Sequence, residues 1–109
     1  MTERTDVLAG TLDLIVLRML QGGAANGWEI SQNIQVLSRD AICVKYGSLY
    51  PALHRLEARG WIRSEWAISE NNRRAKYYAL TVAGRRRLRE ERATWERFAT
   101  AMELILGNP

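Results

Sequence analysis

The chain has 109 residues, a length for one domain, and its 47% apolar and 26% charged fractions are those of an ordinary globular protein. A single cysteine, Cys43, excludes an internal disulfide and supplies no thiolate metal-ligand set, and His54 is the single histidine. The formal charge of +4 is unevenly spread, because residues 45–92 hold twelve Lys or Arg against five Glu, while the rest hold four basic against seven acidic groups.

Residues 1–6, MTERTD, are polar and expected to fray. From Leu8, the apolar residues Leu8, Leu12, Ile15, Met19 and Leu20 recur at helical spacing. Thr5 or Thr11 is the candidate cap, and Gly22-Gly23 is the stop. A second helix is predicted from Gly27 to Leu37, capped by Asn26, with Trp28, Ile30, Ile34 and Leu37 as its buried side. In the connector over 38–46, Ile42, Val44 and Tyr46 alternate with Cys43 and Lys45, which predicts a short strand added to a sheet edge. Cys43 is expected there as a small buried residue.

The third helix is predicted over Ser48 to Arg59, with Leu49, Leu53 and Leu56 facing the core and Gly60 closing it as a left-handed cap. Pro51 is acceptable in a first turn, where its missing N–H has no intrahelical partner to lose. The outer face then presents Ser48, Tyr50, Pro51, His54 and Arg55, a mixture suited to base edges and phosphates. Two strands follow. Ile62, Ser64, Trp66 and Ile68 share one face of the first, and Tyr78 and Leu80 one side of the second. Asn71-Asn72 form the tip, since asparagine tolerates the left-handed conformation of a tight hairpin, and Arg73, Arg74 and Lys76 follow at once. Thr81 can cap a final helix from Val82 to Leu106, in which Leu88, Trp95 and Met102 are spaced by seven with Phe98 and Ile105 between. So narrow an apolar seam on a long, charged helix wants a partner.

A helix that ends at a glycine and runs straight into an arginine-tipped hairpin is the construction of a winged helix-turn-helix. The fold class is therefore α+β, mainly α, with residues 1–81 as a DNA-binding domain and 82–109 as a long C-terminal dimerisation helix. The basic surplus falls on the recognition helix, the wing and the start of the last helix, and points to a nucleic-acid partner. Lys45, Ser48, Tyr50, Pro51, His54 and Arg55 are the recognition-helix candidates, and Asn72, Arg73, Arg74 and Lys76 the wing candidates. For Tyr50 and His54 the plain alternative is a surface residue without contact to DNA. A winged helix that docks protein instead would carry a neutral or acidic wing, which this is not.

No enzyme is expected, because neither Cys43 nor His54 has a carboxylate pair placed beside it and no glycine-rich phosphate loop occurs. No cofactor or metal is expected either. No apolar run approaches the roughly 18 residues of a membrane span, and no basic-then-apolar leader opens the chain, which predicts a cytoplasmic protein.

The segments GTLDLIVLRML, NGWEISQNI, GSLYPALHRLEARGWI and RRAKYYALTVAGRRRL together resemble the PadR family of bacterial transcriptional regulators, over nearly the whole chain. The second is usually written with tyrosine where this chain has Trp28, and the wing carries Asn71-Asn72 where glycine is common. The resemblance implies a homodimeric repressor of the small branch on an inverted-repeat operator in double-stranded DNA. It also implies that the last helix packs against the partner's first and last helices, which adds Leu12 and Ile15 to the dimer seam of Leu88, Trp95, Phe98, Met102 and Ile105. Some small members bind flat aromatic compounds at the dimer centre through a tryptophan of the last helix. Counted from Leu80-Thr81, Trp95 falls at the matching position and is the candidate effector-binding residue; simple packing at the seam is its alternative.

Overall fold

A computed structural model of the chain describes residues 2–107, with side chains from residue 10 onward. The first helix, α1 (Thr2–Met19), starts well before the expected Leu8, because nothing in TERTDV breaks a helix. Thr5 and Thr11 therefore lie inside it and neither is its N-cap; Met1 and the side chains of Thr5 and Leu8 lie outside the described residues. The buried stripe is Leu12, Val16, Leu17 and Leu20, with Ile15 and Met19 half-buried at its edge.

The strand β1 (Ala25–Asn26) leads directly into α2 (Gly27–Leu37). Asn26 forms a capping box: its side chain accepts from the Glu29 N–H at 2.8 Å, and the Glu29 carboxylate accepts from the Asn26 N–H at 2.9 Å. Gly27, Ile30 and Ile34 are buried. Trp28 and Leu37, expected on that side, are 61% and 65% exposed. Trp28 is turned about 100° away from Gly27, through which the buried stripe passes. Leu37, although in line with Ile30 and Ile34, is the last residue of the helix, beyond the buried ones.

The connector after α2 is irregular rather than a strand. Arg39 and Asp40 both take positive φ, 53° and 66°. The Ser38 hydroxyl accepts from the Ile42 N–H at 3.0 Å, and Ser31 donates to the Val44 carbonyl at 3.3 Å. These side chains take the backbone bonds that a neighbouring strand would need. The alternation survives without the strand: Ile42 and Val44 pack on the core, and Cys43 points outward, exposed and not buried as expected.

Helix α3 (Tyr46–Ala58) buries Leu49, Ala52, Leu53 and Leu56. It begins two residues before the expected Ser48, so Pro51 stands at the sixth position rather than in the first turn and withdraws the bond that would reach Gly47. Its end is a Schellman motif. Gly60 takes φ 77° and donates to the Glu57 carbonyl at 3.0 Å, while the Trp61 N–H reaches back to Leu56 at 3.0 Å.

The wing is β2 (Ile62–Ile68) and β3 (Arg74–Leu80), antiparallel from Ile62 opposite Leu80 to Ile68 opposite Arg74. β3 is central, with β1 pairing its other edge at Tyr77 and Tyr78. Thus β1, not the 38–46 connector, completes the three-stranded sheet. At the tip, Asn72 takes φ 58° and its N–H donates to the Ser69 carbonyl at 2.9 Å.

Thr81 caps α4 (Val82–Leu106), its hydroxyl accepting from the Gly84 N–H at 3.0 Å. The same hydroxyl donates to the Gly60 carbonyl at 2.6 Å, so one side chain ties the end of α3 to the start of α4. Leu88 is the last fully packed residue of α4. It and Leu12 are each only 5% exposed in the core of the single chain. Both were expected at a dimer seam, but the chain's own core takes them, since α1 packs directly on α4. Beyond Leu88 the helix projects, and the long axis of the molecule reaches 54 Å.

Candidate nucleic-acid interface

Between α3 and the wing lies an open groove of about 580 Å³. One wall is Tyr50 and His54 of α3; the other is Arg73, Arg74 and Lys76 of the wing. The i, i+4 step from Tyr50 to His54 puts both on one helix face, and the period of two places Arg74, Lys76 and Tyr78 on one side of β3. Five of the expected contact residues are thereby brought together.

The other five lie outside this groove. Lys45 is the N-cap of α3 but its side chain makes no capping bond, so the positive end of the helix dipole is left beside an exposed lysine and the exposed Ser48. Pro51 is exposed on the same helix and Asn72 at the wing tip. Arg55 turns toward α1, where its guanidinium meets the Asp13 carboxylate at 2.8 Å.

Several groove residues escape a reading of the sequence. Trp28 lines the groove from α2, and Trp66 from β2. Trp66 carries the spacing of the face that buries Ile62 and is set apart only by lying farther along the strand, beyond the core, whereas Trp28 lies off the buried stripe of α2. Glu57 lies at the foot, accepting from the Ser64 hydroxyl at 2.5 Å and facing the Lys76 ammonium at 3.9 Å. Burial, then Tyr50 and Glu57, push the Tyr78 phenol above its ordinary value, so the neutral hydroxyl is the form that sits beneath the basic side chains. Gly27 permits Tyr50 to lie close: a β-carbon at Gly27 would stand 2.8 Å from the Tyr50 hydroxyl.

At the far end of the molecule, Trp95 and Phe98 sit with ring centroids 5.9 Å apart. Both are exposed, as are Leu104, Ile105 and Leu106, while Met102 is half-buried. Among the described residues, no group of three or more His, Cys, Asp or Glu is arranged to hold a metal ion, and no helix is long and apolar enough to cross a membrane.

Helices α2 and α3 followed by a basic hairpin and a long terminal helix define a winged helix-turn-helix protein with a projecting C-terminal arm. The model of the PadR-like family of transcriptional regulators matches residues 16–90. The chain belongs to that family and is a transcriptional regulator. It is 41% identical over 83 residues to the transcriptional regulator Rv3488 of Mycobacterium tuberculosis, spanning 76% of this chain and 77% of that protein. Its fold matches a transcriptional regulator from Clostridium thermocellum with a TM-score of 0.82 at 33% identity, covering 90% of this chain and 95% of that one. A PadR family regulator from Clostridium difficile R20291 matches with a TM-score of 0.74 at 31% identity, over 87% and 97% of the two chains.

Proposed function

We propose that the chain is a cytoplasmic homodimeric repressor that grips an inverted-repeat operator in double-stranded DNA. The observation that carries this reading is the groove itself: a recognition helix presenting Tyr50 and His54 faces a wing presenting Arg73, Arg74 and Lys76. Helix polar groups at a base edge give sequence preference, and wing cations on the phosphates give affinity. Residues 1–81 form the DNA-binding unit, with the start of α4 through Leu88 packed on its core, and the rest of 82–109 is the dimerisation arm.

Dimerisation is supported by the apolar seam of Trp95, Phe98, Met102 and Ile105, joined by the half-buried Ile15 on α1. An exposed row of large apolar side chains of this kind marks an interface. A two-fold dimer reads half-sites about one helical turn, or 34–36 Å, apart. The Trp95 and Phe98 rings, inclined at 41° to each other, offer aromatic faces near that seam, suited to a small planar effector. A ligand that favours a dimer with mismatched recognition helices relieves repression.

The test is light scattering on the purified chain, followed by selection of bound fragments from its own genome and gel shift on them. A dimer, steep salt sensitivity and enriched inverted repeats are expected. Phe98→Glu should yield monomer and weaken the gel shift at least tenfold. A wild-type monomer at micromolar concentration that ignores duplex DNA at low salt overturns the proposal.

A further inference from the structure

The core ends along the wing at Ile62, Tyr78 and Leu80, yet the same face of the hairpin continues with Trp66, 57% exposed. No packing explains an indole there. It stands opposite Lys76 in the register, one diagonal from Arg74, and the Arg74 guanidinium lies 4.9 Å from the centre of its ring. Cross-strand diagonal neighbours on one face are within reach of long side chains. A stacked guanidinium uses its π-face and keeps its in-plane N–H groups for hydrogen bonds. Among the described residues Arg74 makes no ion pair, whereas Lys76 is held by Glu57 and Arg55 by Asp13. Arg74 is thus a cation held against an indole on a wall of the groove, with no carboxylate partner among the described residues.

We infer that Trp66 is a positioning residue: it holds the Arg74 guanidinium flat so that its edge meets a DNA phosphate. This rests on the DNA-binding reading above and names how one of its contacts is built. An unrestrained arginine at a hairpin tip loses side-chain freedom when it docks. Stacking on Trp66 removes part of that loss beforehand, so the indole contributes to affinity without touching DNA. A phosphate contact carries no base preference, so the effect is the same on any duplex.

The test uses the full chain and a labelled random-sequence 30-base-pair duplex, titrated by fluorescence anisotropy at several KCl concentrations. Trp66→Ala should weaken binding about two- to five-fold, the factor corresponding to an exposed cation–π contact. Trp66→Phe should recover most of the loss. In an Arg74→Ala background, Trp66→Ala should have no further effect, because the indole acts only through the guanidinium. Independently of DNA, NMR of the free protein should show ring-current shifts on the Arg74 side-chain protons that vanish in Trp66→Ala, with unchanged circular dichroism. Equal losses from Trp66→Ala in both backgrounds overturn the positioning role and make Trp66 a contact or a structural residue. Absence of the ring-current shift overturns the stacking. A wild-type chain that does not bind the duplex, with the shift intact, overturns the DNA reading and this role with it.

Discussion

The backbone of Gly84 lies directly on the carbonyl of Trp61: a β-carbon built on Gly84 would stand 1.8 Å from that oxygen. The same carbonyl accepts the Thr81 N–H at 3.1 Å. The first turn of α4 is therefore seated on the turn that joins α3 to the wing, and the direction of the C-terminal arm is fixed there. Backbone cannot yield as a flexible side chain can. Gly84→Ala is expected to destabilise the chain by about 1–3 kcal/mol, the usual cost of overpacking. Urea unfolding followed by circular dichroism measures it; a change below about 0.5 kcal/mol would show that α4 pivots freely on the wing.

Arg55 is spoken for in the free chain by Asp13, across the α1–α3 contact. With both side chains partly exposed, the pair contributes at most about 1 kcal/mol, less than the 1–3 kcal/mol of discrimination in a bidentate arginine–guanine contact. Arg55 can therefore exchange its partner on DNA. Arg55→Ala should weaken binding to a selected operator more than to random duplex. Asp13→Asn should tighten operator binding by up to about fivefold, and that gain should disappear when Arg55 is also alanine. Equal losses for Arg55→Ala on both sequences would make Arg55 a backbone contact.

How much of this is legible in the sequence divides along physical lines. Features set by neighbours in sequence are readable: Asn26, Gly60 and Thr81 each end or start a helix through bonds to backbone three to five residues away. The hairpin and its asparagine tip are equally local. What depends on distant packing is not. Val16 and Leu17 are buried because α1 is rotated to meet both α3 and α4, which spacing alone leaves open. Trp28 and Trp66 look like core residues and line the groove instead. The two-residue β1 is too short to leave a pattern, and the alternation of Ile42 and Val44 imitates the strand it replaces.

The wing cations should act on any sequence alike. Arg73 is exposed at the start of the returning strand, with its backbone bonded to Ser69 and its side chain in no ion pair among the described residues. Every phosphate that a protein cation neutralises adds about 0.9 to the steepness with which log affinity falls with log salt. Arg73→Ala should thus reduce affinity for operator and random duplex by the same factor and flatten the slope by about one. Titrations between 50 and 300 mM KCl resolve this; an unchanged slope takes Arg73 off the phosphate.

Tyr78 gives the fold a dependence on alkaline pH. Burial, then the neighbouring Tyr50 and Glu57, raise its phenol above 10.0, so the folded state keeps a proton that the unfolded chain releases. The contribution of this group is fully present below the unfolded value of 10.0 and is lost as pH rises through the folded one. Urea midpoints for wild type and Tyr78→Phe should stay a constant distance apart from pH 7 to 9. Above pH 10 the wild type should lose stability more steeply. Parallel curves throughout would show that the phenol titrates no differently in the two states.

Trp95 is the residue on which an effector would register. Of the four tryptophans, Trp61 is packed beneath the Arg87 guanidinium at 4.5 Å and the Arg59 guanidinium at 5.4 Å. Trp28 and Trp66 belong to the groove, so a ligand at the seam quenches Trp95 alone. Stacking of a planar aromatic compound on the Trp95–Phe98 pair should therefore remove a saturable fraction of the emission and leave the rest. In Trp95→Phe the saturable fraction should vanish, while the chain remains a dimer, since phenylalanine keeps the seam apolar. The same compound should shift operator binding in the wild type and not in the variant. Quenching that persists in Trp95→Phe would move the ligand to the groove, where it would compete with DNA directly, and the salt dependence of that competition would then separate the two sites.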